Sequence, residues 1–193
     1  MYIVLEGIDC VGKSTQIELL KPIFKDAIFT SEPGATKLGE HLRELLLNRP
    51  YPISSKAELL LFLADRNQHY EELLRENEEK LIISDRSIIS GMAYAKNFDL
   101  DILFNLNAFA LNDFFPQKAI FLRADEALLK ERMAQKNLDS IEKRGAWYFM
   151  EVQEKMEEVL NFLKLKIDLK VLNLDARESI ENLHNKIKEF IDD

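Results

Sequence analysis

The chain has 193 residues, a formal net charge of −8 and a single cysteine, Cys10. That length suits one domain with a central sheet and a sizeable core, and the acidic balance argues against non-specific binding to nucleic acid or an anionic membrane. One cysteine excludes an intramolecular disulfide and fits a reducing compartment; no basic leader precedes the first strand and no apolar run approaches ~20 residues, so a cytoplasmic protein is expected.

Strand-like runs alternate with helical patterns, as in a parallel sheet covered on both faces. The first run, Tyr2–Glu6, leads into Gly7-Ile8-Asp9-Cys10-Val11-Gly12-Lys13-Ser14, which fits G-x-x-x-x-G-K-[ST] and opens a helical pattern over Ser14–Phe24. Gly7 and Gly12 permit positive φ and close backbone approach, so successive N–H groups can ring a phosphate at a helix N-terminus. In this pattern Lys13 reaches the β- and γ-phosphates and the Ser14 hydroxyl ligates Mg²⁺. The expected ATP-binding residues are therefore Gly7, Ile8, Asp9, Cys10, Val11, Gly12, Lys13, Ser14 and Thr15.

A second strand, Ala27–Thr30, ends in the tight turn Ser31-Glu32-Pro33-Gly34, followed by helical patterns over Thr36–Leu47 and, capped by Ser54, over Ser54–Asn77. The third strand, Leu81–Asp85, runs into Asp85-Arg86-Ser87. An apolar strand ending in Asp resembles a Walker B strand, whose carboxylate orients Mg²⁺ or its water. The planar fork of Arg86 suits a second phosphate. Helical patterns over Leu100–Phe114, Ala127–Gln135, Ile141–Leu163 and Ser179–Ile191 alternate with strands Ala119–Leu122 and Lys170–Leu174, and Ser179 is the expected cap of the last helix.

The phosphate loop alone does not separate switches from kinases. No guanine-reading N-K-x-D is present, and the chain is short for a motor or transporter ATPase. A small phosphate-loop protein with an Arg-bearing strand end is best explained as a kinase of a small phosphorylated or hydroxylated acceptor.

Taken together, the motifs resemble those of the thymidylate kinase family, bacterial type, over nearly the whole chain. Leu5-Glu6-Gly7-Ile8-Asp9 is similar to the family's opening, and Phe29-Thr30-Ser31-Glu32-Pro33-Gly34-Ala35-Thr36 to its F-T-R-E-P-G-G-T segment. Leu61-Phe62-Leu63-Ala64-Asp65-Arg66 resembles its acceptor-base helix, and Asp85-Arg86-Ser87 its D-R-[YHS] motif. The resemblance implies an α/β P-loop nucleoside monophosphate kinase fold: one domain, a parallel sheet of five strands flanked by helices, and a short lid over 132–145. It also implies Mg²⁺-dependent transfer from ATP to dTMP, giving dTDP and ADP, by a homodimer.

The resemblance further implies that Asp9 hydrogen-bonds the acceptor 3′-hydroxyl and helps hold metal with Ser14 and Asp85. Phe62 stacks on thymine, Arg66 donates to its O4, and Ser90 and Gly91 lie beside the pyrimidine edge. Arg86, seconded by Arg43, holds the acceptor phosphate, and Glu32-Pro33, whose peptide bond is permitted to be cis, shapes the turn around it. Lys13, Asp85 and Arg86 form the catalytic set. The phosphate loop interior carries no cation, so a lid arginine completes that set: Arg132 first, with Lys136, Lys143 or Arg144 as substitutes.

Simpler readings stand beside these. Phe62 sits in an apolar run and suits core packing; Arg66 suits a simple pairing with Asp65 or Glu58 on a solvated face; Arg43 suits a helix surface. Trp147, Tyr148 and Phe149 suit core or subunit contact, as do Phe104, Phe109, Phe114 and Phe115 on the helices of the expected dimer face. His41, His69 and His184 share no motif. The chain departs from the family at Ser31, Gln117 and Ser140, which replace an arginine, an aspartate and a frequently basic lid residue. A deoxynucleoside kinase, with Glu32 or Asp85 as base, and a non-catalytic nucleotide-binding module are the competing functions.

Overall fold

The structure, a computed structural model, describes residues 1–134 and 145–193. Among these, Tyr2–Glu6 (β1), Ile28–Ser31 (β2), Ile82–Asp85 (β3), Lys118–Arg123 (β4) and Lys170–Asp175 (β5) form one sheet. Its order is β2-β3-β1-β4-β5, and every neighbouring pair is parallel. Strand β1 lies at the centre with all five residues buried, which explains its unbroken Tyr-Ile-Val-Leu run: a parallel strand covered on both faces has no polar side to alternate with. Its carboxyl end meets Asp85 at Leu5 and Phe121 at Glu6. Chain order reverses across β1, so the crevice beyond the strand ends is the place for a ligand.

Eight helices cover the sheet among the described residues: Lys13–Leu20 (α1), Lys37–Asn48 (α2), Ser55–His69 (α3), Ile88–Tyr94 (α4), Leu100–Leu111 (α5), Glu126–Met133 (α6), Ala146–Lys166 (α7) and Ile180–Asp192 (α8). Six start on side-chain caps: Thr36, Ser54, Ser87, Asp99, Asp125 and Ser179 each accept from backbone N–H groups in the first turn. The exceptions are α1 and α7, which begin at Gly12 and Gly145 without a side-chain cap. In α1 this leaves the first-turn donors to whatever ligand the loop takes.

Several details differ from the sequence expectation. Helix α4 is additional: Ser87-Ile88-Ile89-Ser90-Gly91 shows no helical periodicity, but the Ser87 cap and burial of Ile88, Ile89 and Met92 hold it against the core. Helix α3 does not run evenly to Asn77; it passes into a π-turn at Tyr70–Leu74 and a 3₁₀ turn at Arg75–Asn77. Helix α7 begins at Ala146, and the expected start at Ile141 lies outside the described residues. Of the four phenylalanines assigned to a dimer face, Phe104 stacks on Phe115 and Phe114 on Tyr2; only Phe109 points outward, 86% exposed. Gln117 does structural work, its Oε1 accepting from the Tyr2 amide at 2.6 Å.

The aromatic trio at the start of α7 divides by helical position. Phe149 is fully buried, whereas Trp147 remains 74% exposed. Phe149→Ala is expected to cost about 3–5 kcal/mol in denaturant unfolding, and Trp147→Ala less than ~0.5 kcal/mol. Equal losses would overturn this assignment of the helix face.

Candidate active site

The phosphate loop joins β1 to α1 and takes the backbone its sequence requires. Gly7 and Gly12 have φ of 140° and 101°. A Cβ on Gly7 would stand 2.5 Å from the Leu122 carbonyl oxygen, so the close approach of β4 requires glycine there too. Cys10 also adopts positive φ, 67°, while its thiol remains only partly buried. Lys13 is buried, and its Nζ donates to the Gly7 and Ile8 carbonyl oxygens, each at 2.9 Å. Burial, seconded by the Arg86 charge, lowers its pKa to about 8. Ser14 and Thr15 are exposed on the wall of a cavity of about 780 Å³.

A smaller cavity of about 110 Å³ adjoins it, and both share Asp9, Glu32, Pro33, Arg43 and Arg86 as walls. Arg86 stands at this junction. Its guanidinium donates to Asp9 Oδ1 at 2.5 Å and Ser90 Oγ at 3.0 Å, and lies 5.5 Å from the Tyr94 ring centroid. Ser90 Oγ donates in turn to Glu6 Oε2 at 2.5 Å, and Ser87 Oγ to Glu6 Oε1 at 2.7 Å. Burial raises the Glu6 pKa despite these hydroxyls. Asp85 lines the larger cavity, and its Oδ1 is buried with no hydrogen-bond partner among the described residues.

The smaller cavity is walled by Phe62 and Arg66 of α3 and by Ser90 and Gly91 of α4. Phe62 is half-buried and faces this space rather than joining the core. Arg66, 3% exposed, pairs with neither Asp65 nor Glu58; its partner is Glu32, whose Oε2 lies 2.8 Å from Nε and 2.7 Å from Nη2. Asp65 instead accepts from the Gly34 amide at 3.0 Å, pinning the turn whose Glu32–Pro33 peptide bond is cis. Arg43 is exposed, and its Nη1 donates to the Pro33 carbonyl oxygen at 2.8 Å. Gly91 is glycine for a steric reason: a Cβ there would meet Arg66 Nη1 and Nη2 at 2.7 Å.

Arg132 lies in the last turn of α6, and residues 135–144 of the expected lid are outside the described residues. The Arg132 guanidinium is held by the Cys10 carbonyl oxygen at 3.0 Å and the Ala176 carbonyl oxygen at 2.8 Å, against the larger cavity. The other lid cations, Lys136, Lys143 and Arg144, and Ser140, lie outside the described residues. His69, for which the sequence offers no motif, is fully buried with Nδ1 3.0 Å from Glu32 Oε1 and Nε2 2.8 Å from Thr30 Oγ1. Asn107 of α5 accepts from Arg66 Nη1. The one sequence signal for His69 was its spacing, three residues beyond Arg66 on the same helical face; Asn107 had none.

Burial alone would raise the Glu32 pKa, yet Arg66 and His69 hold it at about 2, below the ordinary 4.5. A carboxylate depressed on folding stabilises above its unfolded pKa and loses that contribution as pH falls through the folded value. Unfolding free energy is therefore expected to fall between pH 4.5 and about 2, with Glu32→Gln flattening part of this fall in pH-resolved denaturant titrations. An unchanged slope in the variant would show that Glu32 is not held this way.

The thymidylate kinase family model matches residues 5–187. The thymidylate kinase of Campylobacter jejuni subsp. doylei is 69% identical over 191 residues, spanning 99% of this chain and 100% of that protein. That of Campylobacter lari is 62% identical over 194 residues, spanning 100% of both. A solved thymidylate kinase from Ehrlichia chaffeensis, 24% identical, superposes with a TM-score of 0.75 over 100% of this chain and 98% of that one, which shows the fold. No helix among the described residues is long and apolar enough to cross a membrane. With nearly the whole length matched by the family model and by relatives this similar, the chain belongs to the thymidylate kinase family.

Proposed function

We propose that the chain transfers the γ-phosphoryl group of ATP to dTMP, forming dTDP and ADP. The observation that carries this reading is the pair of adjoining cavities with Arg86 in their shared wall. One is edged by the phosphate loop and the other by Phe62 and Arg66. ATP occupies the larger, its phosphates ringed by the amides of Gly7 to Thr15 and its γ-phosphate neutralised by Lys13. The carbonyl-held Arg132 contacts the donor nucleotide from the wall. dTMP occupies the smaller, with its base on Phe62, its O4 taking a hydrogen bond from Arg66, its sugar hydroxyl on Asp9 and its phosphate on Arg86, supported by Arg43.

An acceptor phosphate is largely ionised at neutral pH, so its oxygen attacks the γ-phosphorus without a strong general base. The bond to the β–γ bridging oxygen breaks and ADP leaves with the electron pair. Catalysis then consists of positioning and charge stabilisation. The residues present fit Mg²⁺: Asp85 Oδ1 is buried without a partner among the described residues, and Asp85 lines the same cavity as the exposed Ser14. Among the described residues no group of three or more His, Cys, Asp or Glu side chains could hold a metal alone. One or two protein oxygens completed by phosphates is the set this ion takes. Mg²⁺ held there supplies charge neutralisation at the β- and γ-phosphates. A thymidine kinase reading would leave Arg86 without an acceptor phosphate to hold.

Helices α3 and α5 pack together and expose Leu60, Ile102 and Phe109. This apolar surface supports pairing with a second copy of the chain. A reducing cytoplasm fits the single, partly buried Cys10.

ADP release from Mg-ATP with dTMP, dUMP, dCMP and thymidine tests the activity; turnover of thymidine but not dTMP would refute it. Arg86→Ala is expected to lower kcat/KM for dTMP by ~100-fold or more, with ATP affinity changed by less than about threefold; equal losses would remove Arg86 from the acceptor site. Phe109→Asp is expected to halve the molar mass seen in light scattering, whereas an unchanged mass would rule out this face.

A further inference from the structure

We propose that Asn107 and His69 are positioning residues for base selection, holding Arg66 so that one N–H of its Nη1 faces the acceptor base. This rests on the reading that Arg66 contacts the base. Neither residue lines the smaller cavity, so both act through Arg66.

The argument is a count of donors. A guanidinium has five N–H groups and no acceptor. Nε spends one on Glu32 Oε2 at 2.8 Å. Nη2 spends one on the Ser87 carbonyl oxygen at 3.0 Å and lies in ion-pair contact with the same carboxylate oxygen, 2.7 Å away. Nη1 spends one on Asn107 Oδ1. Nη1 keeps one N–H beyond its bond to Asn107, while the second N–H of Nη2 belongs to the ion pair with Glu32; a Cβ at Gly91 would meet Nη1 and Nη2 alike at 2.7 Å. Glycine at the cavity wall thus leaves Nη1 approachable. An N–H donor with no accompanying lone pair donates to a carbonyl oxygen but cannot receive a bond from an amino group, which is the difference between thymine and cytosine at position 4.

Asn107 presents its oxygen for a reason. Its Nδ2 donates to the Leu103 carbonyl oxygen at 2.8 Å within α5, which leaves Oδ1 toward Arg66. His69 acts one bond further away. Glu32 is an ionised carboxylate and only accepts, so Nδ1 carries a proton toward Oε1. With Oε1 occupied, the carboxylate is held with Oε2 toward Nε and Nη2. Arg66, Glu32, His69 and Asn107 are all at most 4% exposed, so no water replaces a lost partner cheaply. Removing Asn107 Oδ1 leaves two unspent N–H groups on Nη1 and frees the guanidinium to turn.

The test compares kcat/KM for dTMP and dCMP. Asn107→Leu is expected to raise KM for dTMP about tenfold and reduce the dTMP-to-dCMP preference about tenfold, with KM for ATP unchanged. Asn107→Asp, which keeps an acceptor for Nη1 but loses the Nδ2 bond to the Leu103 carbonyl oxygen, should recover only part of the loss. His69→Leu should move in the same direction as Asn107→Leu, and His69→Asn, whose Nδ2 replaces the Nδ1 proton, should recover part of the loss. Should the leucine variants fail to fold, Asn107→Ser and His69→Ser remove the same contacts with less apolar intrusion. Folded variants that keep the parent preference overturn the inference. Arg66→Lys separates the two levels: if it too keeps the preference, the base-reading role of Arg66 is what fails; if it loses the preference while the Asn107 and His69 variants keep it, only the positioning role fails.

Discussion

A guanidinium buried at 3% exposure carries a large desolvation cost unless acceptors surround it, and the smaller cavity is arranged around that requirement. Arg66 meets it with acceptors from three places in the chain, Glu32 in the turn after β2, the Ser87 carbonyl oxygen and Asn107 of α5, while the buried His69 of its own helix donates to Glu32 and holds it in place. Each contact also ties one wall of the cavity to another. The Glu32 turn is fixed to α3, α3 to the start of α4, and α3 to α5. A buried ion pair contributes little net stability by itself, but with every other acceptor orientation blocked it sets one geometry for the base pocket.

The same physics recurs where the cavities meet, with the charges distributed differently. Lys13 and Arg86 are neighbouring cations, and burial first and the Arg86 charge second lower the pKa of Lys13. Glu6, Asp9 and Asp85 supply the opposing charge. Glu6 touches neither cation: it holds Ser87 and Ser90, and Ser90 in turn accepts from Arg86. A carboxylate one hydroxyl away orients Arg86 without competing for a phosphate as strongly as a direct partner would.

What the sequence made legible was local. The phosphate loop, its positive-φ glycines, the parallel strands and the Ser54 and Ser179 caps follow from residues within a few positions of one another. Phe62 and Arg66 were legible as a pair four residues apart, which places both on one helix face. The partner of Arg66 was not legible, because Asp65 and Glu58 are closer in sequence than Glu32. Asn107 lies 41 residues from Arg66 and His69 lies 37 from Glu32. Buried polar residues of this kind give no periodic signal, since their place is decided by what tertiary packing brings to them. Helix α4 was hidden for a related reason: Ile88, Ile89 and Gly91 have poor helix propensity, and packing against the core overrides it.

The Arg86–Asp9 pair is the contact that the proposed reaction must rearrange. At 2.5 Å it ties the phosphate loop to the end of β3, and the two side chains are only 16% and 30% exposed. An incoming acceptor phosphate carries more charge than Asp9 and offers several oxygens to a planar fork, so it competes for the guanidinium on favourable terms. Asp9, relieved of part of that bond, is left with acceptor capacity beside the sugar of the same nucleotide. The exchange keeps the local charge balanced at each stage, since Arg86 never loses one anion before gaining another. On the proposed reading it also links loop and acceptor site physically, because Asp9, the residue assigned to the sugar hydroxyl, belongs to the loop assigned to the donor. A phosphate loop with a neutral residue at position 9 would still hold ATP, but neither the restraint on Arg86 nor this exchange would remain.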